Sequence, residues 1–123
     1  MASIDMLRND PAAKAVVAGD TIFSEGDDGS TAYVVTEGEI ELSIHGIPVE
    51  TVGSGGIFGE MALIDHQTRS ATAKAKTDAR VVPVDQRRFL YLIQNTPFFA
   101  VEVMSVMARR IRNMDAKVAD PTR

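Results

Sequence analysis

Between positions 14 and 84 the apolar residues recur mostly at every second position. Ile40, Leu42 and Ile44 alternate with Glu39, Glu41 and Ser43, and Ala71, Ala73 and Ala75 alternate with Thr72, Lys74 and Lys76. A period of two puts one row on a core and the other in water, the mark of a half-buried strand. Shorter β-rich runs at 15–17, 21–23, 32–36, 49–52 and 81–84 add to these. Turn signals separate them: Gly19-Asp20, the polar stretch 25–29, Glu37-Gly38 and His45-Gly46-Ile47-Pro48. Pro83 has no N–H to give a ladder, so its strand is expected at a sheet edge.

The period changes after Asp85. Phe89, Leu90, Leu92 and Ile93 fit a helix that stops near Asn95-Thr96-Pro97. A second helix is expected over about 97–117, with Pro97 suited to its first turn. In it Met104, Met107, Ile111, Met114 and Val118 fall at alternating steps of three and four, a heptad-like seam. That seam fits packing on the same domain or a homodimer formed helix to helix. Near the N-terminus, residues 5–8 suggest a helical turn ended by Asn9-Asp10-Pro11. Strands followed by helices predict a mainly β, α+β fold: an antiparallel β-roll or jelly-roll barrel over about 14–84, with C-terminal helices over about 86–118. The 123 residues form one domain, 1–123.

Composition narrows the function more than the fold. Hydrophobic residues make up 45%, enough for a core, and with aromatics at 6% and no Trp that core must be largely aliphatic. Net charge is −4, and the last 24 residues carry +2 of it against −6 elsewhere. One mildly basic helix is a solvated face rather than a nucleic-acid footprint, so no nucleic-acid partner is expected. The absence of Cys excludes disulfides, thiolate metal sites and cysteine nucleophiles. His45 and His66 are the only histidines and share no strand motif, so no metal and no cupin-like enzyme is expected. No secretory pattern and no membrane-spanning run is visible, which points to a soluble, cytoplasmic protein with no membrane partner.

Candidate chemistry concentrates in Gly53-Ser54-Gly55-Gly56-Ile57-Phe58-Gly59-Glu60-Met61-Ala62-Leu63. There is no Gly-Lys-Ser/Thr of a P-loop, and Phe58 stands where a dinucleotide fingerprint needs its third glycine. A short helix from Gly59 to Leu63 would instead offer free amides and a positive dipole end to an anion. Nine residues after Glu60 comes Arg69, beside Ser70, and an arginine fork suits a phosphate. A carboxylate such as Glu60 belongs beside a phosphate only if it accepts from a sugar hydroxyl and pairs with a nearby cation. Phosphate plus sugar implies a nucleotide. The alternative is plain: glycines in turns, and a surface salt bridge between Glu60 and Arg69.

These residues resemble the cyclic-nucleotide-binding domain family, which includes the bacterial catabolite activator protein and the regulatory subunits of protein kinase A. The similarity runs over roughly 14–118: Gly19-Asp20-x-Ile22-Phe23-x-Glu25-Gly26-Asp27, Tyr33-Val34-Val35-x-x-Gly38, Phe58-Gly59-Glu60-x-Ala62-Leu63, and Arg69-Ser70-Ala71-Thr72-Ala73. The resemblance implies that Arg69 pairs with a cyclic phosphate and Glu60 accepts the ribose 2′-hydroxyl. It gives the backbone at Gly59, Met61 and Ala62 the role of capping the phosphate, and Ser70 a hydroxyl near phosphate or base. Leu42, Val49 and Phe58 fall at base-facing or pocket-lining positions, or in ordinary core. Met114 and Asp115 stand where the catabolite activator has a threonine and a serine on the adenine. Arg110 either faces the ligand or is a solvated helix arginine.

The resemblance further implies a non-catalytic sensor, with cyclic AMP as ligand and cyclic GMP as runner-up, no cofactor, and the final helix as lid and output. Its downstream protein is not named by the sequence. A protein-interaction module that lost the ligand, or a regulatory fragment of a larger transcription factor, kinase or channel, remains open. Nothing after Val118 reads as a helix-turn-helix.

Overall fold

The structure, a computed structural model, describes residues 7–65 and 68–119, with side chains described as far as Asn113. Eight strands come first: β1 (Lys14–Val16), β2 (Thr21–Phe23), β3 (Thr31–Glu37), β4 (Ile40–Ile44), β5 (Ile47–Val52), β6 (Ile57–Phe58), β7 (Thr72–Ala75) and β8 (Ala79–Asp85). A four-residue helix α1 (Met61–Ile64) separates β6 from β7, and α2 (Gln86–Asn95) and α3 (Phe98–Ala119) follow β8. The strands form two antiparallel four-stranded sheets, ordered β1-β8-β3-β6 and β2-β7-β4-β5. The barrel does not close, so the molecule is an open roll.

Three layers result, and the sequence pattern explains them. β3 and β8 are buried on both faces, which is why they read as near-continuous apolar runs. Ala32, Val34, Val82 and Val84 point to the helices, where they meet Phe89, Leu92, Phe99, Val103 and Val106. Val35 and Val81 point the other way, between the sheets, against Ile40, Leu42, Val52, Phe58, Ala73 and Ala75. The two-residue strand β6 does the same, with Ile57 in the helix-side core and Phe58 in the inter-sheet core.

Two expectations are corrected here. Pro83 lies in an interior strand, not an edge strand, since β8 has β1 on one side and β3 on the other. It is tolerated because β1 reaches only Ala79 to Val81, so the ladder on that side has ended before Pro83. The seam on α3 is not the stripe that meets the core either. Phe99, Val103 and Val106 are the buried positions and Met107 packs beside them, whereas Met104 and Ile111 are exposed with Phe98 and Val101 on the opposite face. Both faces of α3 carry apolar residues, and of the seam's described members only Met107 touches the core. The side chains of Met114 and Val118, and the turn expected at 5–8 before Leu7, lie outside the described residues.

The helices are fixed at their starts. Asp85 caps α2 by accepting from Arg88 N at 2.7 Å. Arg88 in turn holds Asp10 through both guanidinium Nη atoms, which ties the N-terminal segment to α2. No helix among the described residues is long and apolar enough to cross a membrane.

Candidate functional site: a guanidinium seat beside a buried carboxylate

Arg69 lies in the connection from α1 to β7, and the β2–β3 loop holds its backbone from both sides. Its N–H donates to Asp27 O at 2.8 Å and its carbonyl accepts from Gly26 N at 2.9 Å. Glu25 N donates to Thr72 Oγ1 at 3.0 Å one strand further on. The stretch 25–29 is therefore more than a polar turn; it fixes the position of Arg69. From that anchor the side chain runs inward. Nη2 donates to Thr31 O at 2.7 Å, Nη1 approaches Gly59 O at 3.4 Å, and Cζ stands 4.0 Å from the centroid of the Phe23 ring. A cation over an aromatic face is attracted by the ring's quadrupole.

Two glycines make room for this seat. A Cβ at position 29 would fall 2.4–2.6 Å from Nε, Nη2 and Cζ of Arg69. At Gly59 a Cβ would stand 2.9 Å from Nη1, and the backbone there has φ +72°, a conformation that L side chains rarely adopt. Gly59 was recognisable in the sequence as a close-approach glycine. Gly29, Phe23 and Thr31 were not, because their role depends on where an arginine forty positions away folds back.

The seat leaves Arg69 electrostatically unfinished. It is only 9% exposed, its Nε is buried without an acceptor, and no carboxylate among the described residues lies within ion-pair distance. Burial pushes its pKa below the ordinary arginine value, and Tyr33 and Asp27 offset part of that. A buried charge without a counter-ion is costly.

Glu60, at 3% exposed, has a different partner from the one a salt-bridge reading proposed. Its Oε1 accepts from Arg110 Nη1, not from Arg69. Arg110 also gives Nε and Nη2 to the two oxygens of Glu50 at 2.8 and 3.0 Å, and Nη2 to Ile57 O at 2.9 Å. Burial works against the Arg110 charge, yet the hydrogen bonds and field of Glu50 and Glu60 outweigh it and hold the pKa above its ordinary value. Arg110 is thus no solvated helix arginine. It bolts α3 to β5 and to the turn before α1.

The other expected site residues divide. Phe58 has no exposed surface; it stacks on Tyr33 at 5.3 Å and meets Phe23 at 5.9 Å, forming core beneath the seat rather than a surface open to a ligand. Leu42 is buried in the same inter-sheet core. Val49 is 38% exposed, next to a register shift between β4 and β5. Ser70 is exposed directly after Arg69. The amide of Ala62, expected to face an anion, donates to Gly59 O at 3.2 Å instead. Glu60 and Met61 keep the open amides of that turn among the described residues, as first-turn amides do. Met114 and Asp115 lie outside the described side chains. Glu50 was missed by sequence reasoning, although its spacing of two from Val52 carried the signal for an inward carboxylate. Among the described residues no group of three or more acidic or histidine side chains is placed to hold a metal ion.

The arrangement resembles known proteins throughout. The catabolite activator protein of Thermus thermophilus matches 98% of this chain at 28% identity with a TM-score of 0.82, and the chain spans 59% of that protein's length. A cAMP-bound protein, PfPKA-R, matches 89% of the chain at 26% identity with a TM-score of 0.71, over 36% of its own length. The cAMP-bound form of the EAL enzyme Bd1971 matches 87% at 33% identity, TM-score 0.63, over 30% of its length, and the same enzyme is known in a cGMP-bound form. The family described as "Cyclic nucleotide-binding domain" matches residues 13–96. With that match covering most of the chain, its residues in order, and its fold shared, this chain belongs to the cyclic nucleotide-binding domain family.

Proposed function

We propose that the chain is a non-catalytic sensor of a 3′,5′-cyclic nucleotide, cyclic AMP first and cyclic GMP second. The observation that carries this reading is Arg69: a buried guanidinium with an unpartnered Nε and, among the described residues, no carboxylate within ion-pair distance. A cyclic phosphate supplies the missing anion and acceptor. Glu60, one residue beyond Gly59, accepts the ribose 2′-hydroxyl in this reading, and its bond from Arg110 supports it, since a neutralised carboxylate can stand near a phosphate. Ser70 and the open amides of Glu60 and Met61 complete the phosphate end. Because Arg110 sits on α3, a ligand at Glu60 changes what holds that helix, and α3 serves as lid and output to a downstream protein.

The test is a calorimetric titration with each nucleotide, with thermal melts alongside. A ligand at a hundredfold excess over its dissociation constant should stabilise the fold by about 2.7 kcal/mol. Arg69→Ala should abolish that shift while the protein still melts cooperatively. If neither nucleotide binds, the sensor reading is lost and a ligand-free interaction module on the same fold takes its place. Since the chain spans 59% of the catabolite activator, service as the sensing part of a longer regulator fits the same reading. The apolar outer face of α3, with Phe98, Val101, Met104 and Ile111 exposed, supports a homodimer through that helix. Light scattering that finds only monomer at every concentration would remove that proposal.

A further inference from the structure

The polar groups around the site fall in a fixed order. Arg69 touches Gly59 O, Glu60 follows Gly59 in the chain, Arg110 joins Glu60 to Glu50, and Glu50 ends the row. A cyclic nucleotide has the same order, with phosphate and base on opposite sides of the ribose. With the phosphate at Arg69 and the ribose at Glu60, the base falls toward Glu50. Glu50 is built to face inward there. It pairs across the ladder with Leu42, and directly opposed residues of neighbouring strands share a face. Leu42 is buried, and the Glu50 side chain is 23% exposed.

The hydrogen-bond capacity left on the Glu50–Arg110 pair is one-sided. Arg110 commits Nε, Nη1 and Nη2 to Glu50, Glu60 and Ile57 O. Each Glu50 oxygen accepts one of these bonds, and a carboxylate has about four acceptor positions. Acceptor positions remain on Glu50, and its partner Arg110 has nearly all of its donors committed. A base is then read by the donors it brings. Guanine offers a ring N1–H and a 2-amino group side by side, a pair that a carboxylate can take together. Adenine offers only its 6-amino group.

We propose that Glu50 is a specificity-determining residue that reads the base and favours guanine relative to adenine, so that it strengthens the second-ranked ligand of the sensor. The inference rests on the sensor reading and adds to it a residue and a direction. Arg109 Nη2 lies 3.8 Å from Glu50 Oε2, beyond hydrogen-bond distance, on a side chain that is largely exposed.

The experiment measures the ratio of cyclic GMP to cyclic AMP affinity by calorimetry for the wild type, Glu50→Gln and Glu50→Asp. Glu50→Gln should lower the ratio about tenfold or more, the size expected on losing a hydrogen bond to a charged acceptor, and Glu50→Asp should retain part of it. A ratio unchanged in a folded Glu50→Gln protein overturns the proposal and leaves the sensor reading standing. Binding of neither nucleotide by the wild type overturns both. Should Glu50→Gln fail to fold, the wild type decides with cyclic inosine monophosphate, which keeps N1–H and lacks the 2-amino group. Weaker binding than cyclic GMP supports Glu50 as the reader, and equal binding overturns it.

Discussion

Arg69 and Glu60 are both buried and both charged, yet they are finished differently. Glu60 has its counter-ion in Arg110, whereas Arg69 has two carbonyls, an aromatic ring and an empty Nε. An ion pair kept for stability would not leave one partner incomplete, because a buried unpaired charge destabilises the fold. The glycine at 29 belongs to the same design, since any side chain there meets the guanidinium. That group is the far end of a flexible chain and can swing away, so Gly29→Ala should leave unliganded stability within about 1 kcal/mol. The displaced guanidinium should still weaken nucleotide binding about tenfold or more, as expected for losing a charged hydrogen bond. Wild-type affinity in a Gly29→Ala titration would show that the seat does not set the position of Arg69. Gly59 was legible from sequence because a glycine before an acid at a predicted helix start has few other reasons to be there. Gly29 was one glycine in a polar loop, and nothing local distinguishes it.

Among the elements, α2 shows how a distant segment is joined to a helix. Asp10 receives two guanidinium bonds from Arg88, and these hold its carboxyl below the usual carboxylate range despite partial burial. A carboxyl depressed in the folded state contributes stability that is complete above its unfolded pKa, about 3.9, and is lost as pH falls through the lower folded value. Asp10→Asn should therefore cost about 1 kcal/mol at pH 7 in a urea melt, and the difference from wild type should close below about pH 4. A gap that persists at pH 2 would assign the effect to packing rather than to the ion pair. The elements themselves were largely readable. Alternation found β4 and β7, and the change of period after Asp85 found α2 and α3. The strand β6 was missed because two residues, Ile57 and Phe58, are too few to show a period. Periodicity alone could not say which face of α3 meets the core, because both faces of that helix are apolar.

For the molecule as a whole, Arg110 is where the layers and the site meet. A single guanidinium joins α3 to an edge strand of one sheet through Glu50, and to the end of the other through Ile57 O and Glu60. Arg110→Ala would leave the buried Glu60 without its cation and Glu50 with only the exposed Arg109 nearby. The loss should be about 3 kcal/mol by denaturant unfolding at neutral pH, the range for breaking a partly buried ion cluster from one side. A loss of only a few tenths would mean that α3 is held by Phe99, Val103 and Val106 alone.

The sequence by itself determined the strand and helix series, the mainly β class, and the family, because these rest on local periodicity and on motifs whose spacing survives in one dimension. It also placed Gly59, Glu60 and Arg69 in one segment. The partners of those residues were decided only by the tertiary structure. Glu60 lies 9 positions from Arg69 and 50 from Arg110, yet it pairs with Arg110, because the fold returns α3 over the turn that carries it. Which charges neutralise each other, and which guanidinium keeps an unpartnered Nε, depends on distances through space that no spacing along the chain encodes.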